Sequence, residues 1–153
     1  MRQKKVYLAR LVCWSSQLLV ALLLFTVPVK AQQMQVTDTD RAAIRSVIER
    51  QLEALRRDDA DGAFAFASPG IRTQFGTAKN FLAMVRASYQ PVYRPRSVVF
   101  EDITPVEGIP TQQVLLLGPN GEPVRALYLM EKQPDGTWKI NGCYLVPIEG
   151  ETI

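Results

Sequence analysis

The sequence predicts an α+β fold, with N-terminal helices packed on an antiparallel sheet. Apolar residues recur every three or four positions as far as Tyr89 and every second position from Ser97 onward. Helices therefore come first and strands second, the α+β order rather than the alternation of a βαβ fold. Between the later strands, Gly118-Pro119-Asn120-Gly121 and Pro134-Asp135-Gly136 have hairpin-turn composition, so the last three strands should form a meander.

Residues 1–31 read as a signal peptide. Arg2, Lys4, Lys5 and Arg10 precede an apolar core over residues 18–27, shorter than the roughly 20 residues of a spanning helix. Val29-Lys30-Ala31 offers a cleavage site after Ala31. The alternative is an uncleaved anchor over residues 11–29, although Ser15, Ser16 and Gln17 interrupt that run and Pro28 ends it. Cys13 is no lipid attachment site, because Arg10 stands where an aliphatic residue is needed. The expected localisation is export, to the periplasm or the medium, with membrane contact only through this segment.

Of the 18 basic residues, five lie in the leader and no acidic residue does, which leaves 13 basic against 15 acidic. The pI near 9.0 thus belongs largely to the leader and gives no support for nucleic-acid binding. A lead-in at 32–37, a single domain at 38–148 and a tail at 149–153 complete the division. The roughly 122 residues beyond the leader suffice for one core. Only Cys143 remains there, so no intramolecular disulfide forms; it reads as a small buried apolar residue, with pairing between chains as the alternative.

Thr37 or Asp38 caps a first helix whose Ile44, Val47, Ile48, Leu52 and Leu55 form one face, with Arg41, Arg45, Glu49 and Arg56 on the wet side. Asp58 and Asp59 end it. Asp59 or Asp61 caps a second helix carrying Ala63, Phe64, Phe66 and Ala67, which Ser68-Pro69-Gly70 should stop. A third, capped by Thr77 or Asn80, carries Phe81, Leu82, Val85 and Tyr89, after which Pro91 and Pro95 should hold the chain extended.

Strands are expected at 97–102, 111–117, 124–132 and 138–146. The third has Val124, Ala126, Tyr128 and Met130 on one side and Leu127 and Leu129 on the other, and in the fourth Cys143 and Leu145 alternate against Trp138, Ile140 and Tyr144. A sheet with helices on one side only would leave Leu127, Leu129 and Leu145 wet. The simplest expectation is a homodimer through that face, with an open patch or the mature amino terminus as alternatives.

Three segments, DDADGAFAFASPGIRTQFG, FLAMVRASYQPVYRPRSVVF and RALYLMEKQPDGTWKINGCYLV, resemble the bacterial domain-of-unknown-function 4864 family over about residues 38–146. That resemblance implies a fold similar to the nuclear transport factor 2-like, cystatin-like superfamily, in which a curved antiparallel sheet wraps around a long first helix. The usual site there is the cavity between sheet and helices. The superfamily includes isomerases, epoxide hydrolases, dehydratases, polyketide cyclases and non-catalytic binding modules, so fold leads to activity by analogy only. A ketosteroid-isomerase-like site would need a Tyr donor and an inward carboxylate, and no motif places that pair.

The chain contains no His, which excludes Ser-His-Asp, Cys-His and His-containing zinc sites. Asp58, Asp59 and Asp61 lack the spacing of a calcium loop and read as helix caps. No metal or cofactor is expected. Tyr89, Tyr93, Arg94 and Arg96 interleave rings and cations that suit the rim of a site for an anionic or aromatic ligand; alternatively Tyr93 packs and the arginines pair with acids such as Glu101. Tyr128 and Tyr144 share strand phase with Met130 and Trp138, so they should face the helices, as cavity lining or as core. Asp102, in phase with Phe100, is the one acid to test as a buried base, against ordinary solvation at a strand end.

The functional expectation is an exported module that binds a small apolar or anionic ligand or another protein, without assignable catalysis. One alternative is a small-molecule isomerase, hydrolase or cyclase using Asp102 with Tyr128 or Tyr144. The other is a structural partner in an envelope complex.

Overall fold

Helix α1 runs Asp38–Arg56, α2 Ala60–Ala65, α3 Pro69–Phe75, α4 Ala78–Ser88 and α5 Gln90–Tyr93; strands follow as β1 Ser97–Val106, β2 Ile109–Leu117, β3 Pro123–Lys132 and β4 Trp138–Pro147. The structure is a computed structural model and describes residues 35–148. The expected signal segment, its anchor alternative and the tail lie outside the described residues. The strands form one antiparallel sheet in the order β1-β2-β3-β4, so the class is α+β and the meander takes in all four strands, one more than expected. The extra hairpin turns at Glu107 and Gly108, both at positive φ (50° and 81°), which is what a two-residue turn matching the strand twist requires.

Two prolines start helices where they were expected to stop or extend the chain. Ser68 caps α3 by accepting a bond from Ile71 N at 3.3 Å, with Pro69 in the first turn, and Pro91 likewise stands in the first turn of α5. A proline lacks an N–H that the first turn does not use, so Ser68-Pro69-Gly70 opens α3 instead of ending in a loop.

The core lies between α1 and the sheet. Ile44, Ile48 and Leu55 of α1 are fully buried in one cluster with Phe64, Phe81 and Val85 of the other helices and Val114, Leu116, Ala126 and Met130 of the sheet. Each of these side chains other than Ala126 contributes about 1.5–3 kcal/mol by leaving water.

The start of α1 is pinned to the sheet by one carboxylate. Asp40 Oδ2 accepts from Thr37 N at 3.1 Å while Thr37 Oγ1 accepts from Asp40 N, a capping box. Its other oxygen, Oδ1, accepts from Lys132 Nζ at 2.8 Å and Trp138 Nε1 at 2.9 Å, so the β3–β4 hairpin is tied to the first turn of α1.

The sheet contains two irregularities. In the β1–β2 pair the register shifts between Phe100 and Ile103. In the β3–β4 pair Leu129 stands opposite Gly142 but Met130 opposite Ile140, so Asn141 is an extra residue on β4. One inserted residue exchanges the two sides of a strand beyond it. Cys143 and Leu145, opposite Tyr128 and Ala126, therefore join Trp138 and Ile140 on the helix side and pack against the core. Tyr144, opposite Leu127, points to the outer side and is 61% exposed. Strict alternation had placed both wrongly: Leu145 is not part of the outer face with Leu127 and Leu129, and Tyr144 does not face the helices.

The donors on Asp40, Lys132 foremost and then Thr37 and Trp138, hold its carboxyl far below the ordinary 3.8. A depressed carboxyl stabilises the fold fully above its unfolded pKa, and that contribution is lost as the pH falls through the folded one. Urea melts of the native chain and Asp40→Asn should accordingly differ by a constant amount from about pH 7 to about pH 5, with the gap closing below about pH 4. A gap independent of pH down to about 2 would mean that the charge of Asp40 does not hold the hairpin.

Candidate functional site

Between α3, α4 and β4 lies a cleft of about 570 Å³. Phe75 from the end of α3 and Phe81 from α4 meet edge to face with ring centroids 5.6 Å apart, and with Met84 and Val85 they make the helical wall. Thr77 sets the direction of α4, its Oγ1 accepting from Asn80 N at 3.2 Å. On the sheet side the cleft is lined by Ile140, Asn141 and Cys143 of β4 and by Tyr128 of β3. Tyr89, following the last turn of α4, also lines it and donates its hydroxyl to Cys143 O at 3.0 Å, bridging α4 to β4.

The bulge is built into this wall. Ser68 N donates to Ile140 O and Ile140 N to Phe66 O, both at 2.9 Å, so the α2–α3 junction runs along the edge of β4 and takes up its free backbone groups. Ser68 Oγ donates to Asn141 Oδ1 at 2.7 Å. The inserted residue is thereby held by the cap of α3.

Polar groups in the cleft are uncharged, with no Lys, Arg, Asp or Glu lining it among the described residues. Gln51 is buried and donates Nε2 to Ala63 O at 3.2 Å. Tyr128 is fully buried, and its hydroxyl has no hydrogen-bond partner among the described residues. Burial holds that hydroxyl well above its ordinary pKa and pushes the Cys143 thiol up to about 12, so both stay protonated at neutral pH.

The residues expected at a site separate into distinct places. Tyr89, Tyr128 and Tyr144 line the cleft, Tyr144 as the exposed one of the three. Tyr93 and Arg94 are at a different cluster around Asp58, whose Oδ1 pairs with Arg86 Nη2 at 2.8 Å and Oδ2 with Arg94 Nη2 at 3.1 Å. Tyr93 donates its hydroxyl to the same carboxylate, and with Arg86 it keeps that carboxyl below its usual range. Arg96 joins neither group: its N–H bonds Leu117 O at 2.8 Å and its guanidinium lies by Gly121. Glu101 pairs with Arg125 at 2.7 Å, not with Arg94 or Arg96.

Asp58 caps no helix with its side chain, but its backbone closes the end of α1. It occupies the left-handed position after α1, φ 60°, with its N–H on Leu55 O and that of Asp59 on Ala54 O, a closure usually made by Gly. Asp59 caps α2 by accepting from Gly62 N at 2.8 Å. Asp102 is exposed at the bulge of β1, on the opposite edge of the sheet from β4. It does not reach the cleft, so the acid and the tyrosine of a proton-transfer pair are not brought together.

The polar residues Gln51 and Asn141 of the cleft, and Ser68 behind Asn141, lay outside the expectations. Gln51 could have been found, since it is a polar residue in the apolar phase of Ile48, Leu52 and Leu55. Ser68 and Asn141 meet across 73 positions, and nothing local announces the pairing.

The outer side of the sheet carries Leu127 and Leu129, together with every large hydrophobic residue that is exposed among the described ones: Val99 (52%), Val106 (41%), Tyr144 and Val146 (41%). The Glu101–Arg125 pair stands among them. No described helix is long and apolar enough to cross a membrane, and no group of three or more Cys, Asp or Glu side chains placed to hold a metal occurs among the described residues.

Helices on one side of an open meander, with a neutral and mainly apolar cleft at the β4 edge, define an α+β domain with a ligand-sized opening. The family model described as Domain of unknown function (DUF4864) matches residues 37–153, and the chain belongs to that family. No curated protein and no solved structure gives a significant match.

A thiol pushed from 9.0 to about 12 has roughly a thousandth of the usual thiolate, and thiolate is the reactive form. In the full chain carrying Cys13→Ser, Cys143 should react with a disulfide reagent at about pH 8 at least about thirtyfold more slowly than free cysteine, the greater nucleophilicity of a high-pKa thiolate offsetting part of its scarcity, and at the ordinary rate in guanidinium. Rapid labelling of the folded protein would place the thiol at the surface.

Proposed function

We propose that the protein is an exported module that binds a small, largely apolar molecule in the cleft between α3, α4 and β4, within a nuclear transport factor 2-like cone. The observation that carries this reading is the cleft itself, whose volume of about 570 Å³ is of the size that encloses small organic ligands. Its walls of Phe75, Phe81, Met84 and Val85 suit an apolar body. The two register shifts support the cone, since bulges are the devices that bend a sheet around a helix. Export rests on the leader described from the sequence. The isomerase, hydrolase or cyclase alternative is weaker because no carboxylate lines the cleft.

Native mass spectrometry of the full chain purified from its own cells tests the reading. A bound small molecule is expected on the native protein and not on Ser88→Trp, which places an indole at an exposed position of the cleft wall. A native protein that is folded and always empty, or occupancy unchanged by the indole, would count against it.

A second reading, self-association through the outer side of the sheet, is favoured by the gathering there of all four large hydrophobics that are exposed among the described residues. An Arg and a Glu on one face can also complement each other across a two-fold axis. Light scattering of the native protein should give twice the chain mass at micromolar concentration, and Leu127→Glu should give a single chain. A native monomer at tens of micromolar removes this reading.

A further inference from the structure

We infer that the cleft selects an uncharged ligand that presents a carbonyl-type oxygen to the Tyr128 hydroxyl; this rests on the ligand-binding reading above. Tyr128 is the largest of the fully buried side chains, and its hydroxyl meets no partner among the described residues. A hydroxyl that is both dry and unpaired is unfavourable, and a phenylalanine would fill the same space without that loss. The ring is anchored on β3, an inner strand, between Gln112 of β2 and Cys143 of β4. It cannot turn its hydroxyl out to solvent. The ring lines the cleft but is covered there from water, so a ligand oxygen reaches the hydroxyl by displacing the side chains that cover it.

The charge of the ligand follows from what surrounds that opening. The nearby arginines are engaged elsewhere, Arg86 and Arg94 on Asp58 and Arg72 over the Phe64 ring at 5.4 Å. An anion in the cleft would lose water and gain no counter-charge, and a cation would find no carboxylate. The polarity of the bonding atom follows from the hydroxyl, which burial keeps protonated and therefore able to donate. Gln51 and Asn141 are each half-engaged, through Ala63 O and Ser68 Oγ, and offer a remaining acceptor and donor to a second polar point on the ligand.

Three naphthalene probes of one skeleton separate the possibilities, titrated by fluorescence against the full chain: 6-propionyl-2-(dimethylamino)naphthalene, its 6-propyl counterpart, and 6-(dimethylamino)naphthalene-2-sulfonate. The ketone should bind about three- to tenfold more tightly than the propyl compound, the yield of one neutral hydrogen bond, and at least about tenfold more tightly than the sulfonate. Tyr128→Phe should reduce the ketone to the level of the propyl compound and leave the propyl compound unchanged. The inference is overturned if that variant binds the ketone as the native chain does, as it would were the hydroxyl satisfied by a trapped water. It is equally overturned if the sulfonate matches the ketone. Should Tyr128→Phe not fold, the carbonyl stretch of the ketone bound to the native chain decides, moving to lower frequency if the oxygen is bonded and keeping its alkane-solution value if not. Binding of none of the three to the folded native chain would overturn the ligand-binding reading itself.

Discussion

The extra residue in β4 decides which side chains of the last strand meet the helices, and much of the remaining architecture depends on it. Were Asn141 paired as an ordinary strand residue, without a bulge, Trp138 and Ile140 would face the core while Cys143 and Leu145 faced outward. With it, all four face inward, and the wall of the cleft and the inner edge of the sheet are one continuous surface. The bulge is not left to the strand alone. Ser68 caps α3, holds the Asn141 amide and leads the backbone along the edge of β4, so one residue fixes the start of a helix, the position of the inserted residue and the protection of an edge strand.

Legibility in the sequence follows how local each cause is. Helix α1 was readable from Ile44, Val47, Ile48, Leu52 and Leu55 because a helix repeats its buried face every few residues. The strands were readable for the same reason, with the exception of the far half of β1, where Pro105 and Pro110 on either side of the Glu107-Gly108 turn disguised the hairpin. Register errors are another matter. A bulge changes nothing in the alternation of types before it, so Cys143, Tyr144 and Leu145 read smoothly and on the wrong sides. The site was legible only in part: Tyr89 and Tyr128 emerged from phase, while Asp58 looked like one more cap. Its partners Arg86, Tyr93 and Arg94 lie beyond α2 and α3, the last two 35 and 36 positions further along the chain, and proximity in sequence had suggested that those two would act with Arg96.

The Asp58 cluster illustrates local strain retained for a distant contact. A left-handed backbone at a residue other than Gly is unfavourable by about 1–2 kcal/mol, and Gly is the usual solution at that position. A carboxylate there instead ties the end of α1 to α4 and α5 through Arg86, Tyr93 and Arg94. Those helices carry Val85, Tyr89 and Val92 into the cleft, so the surface cluster sets the spacing of the helical wall from outside. Charge is confined to this outer layer, and the space within is neutral.

The pin at Asp40 joins the first turn of the first helix to Lys132 and Trp138 on the last hairpin. A chain synthesised from its amino end makes α1 early, and every strand pairs only with its neighbour in sequence, so the sheet can zip up hairpin by hairpin as it emerges. The helix cannot close onto it until Trp138 has appeared. Throughout that interval Ile44, Ile48 and Leu55 lack the cover of the sheet, which makes the nascent chain, not the finished domain, the form most exposed to unwanted association.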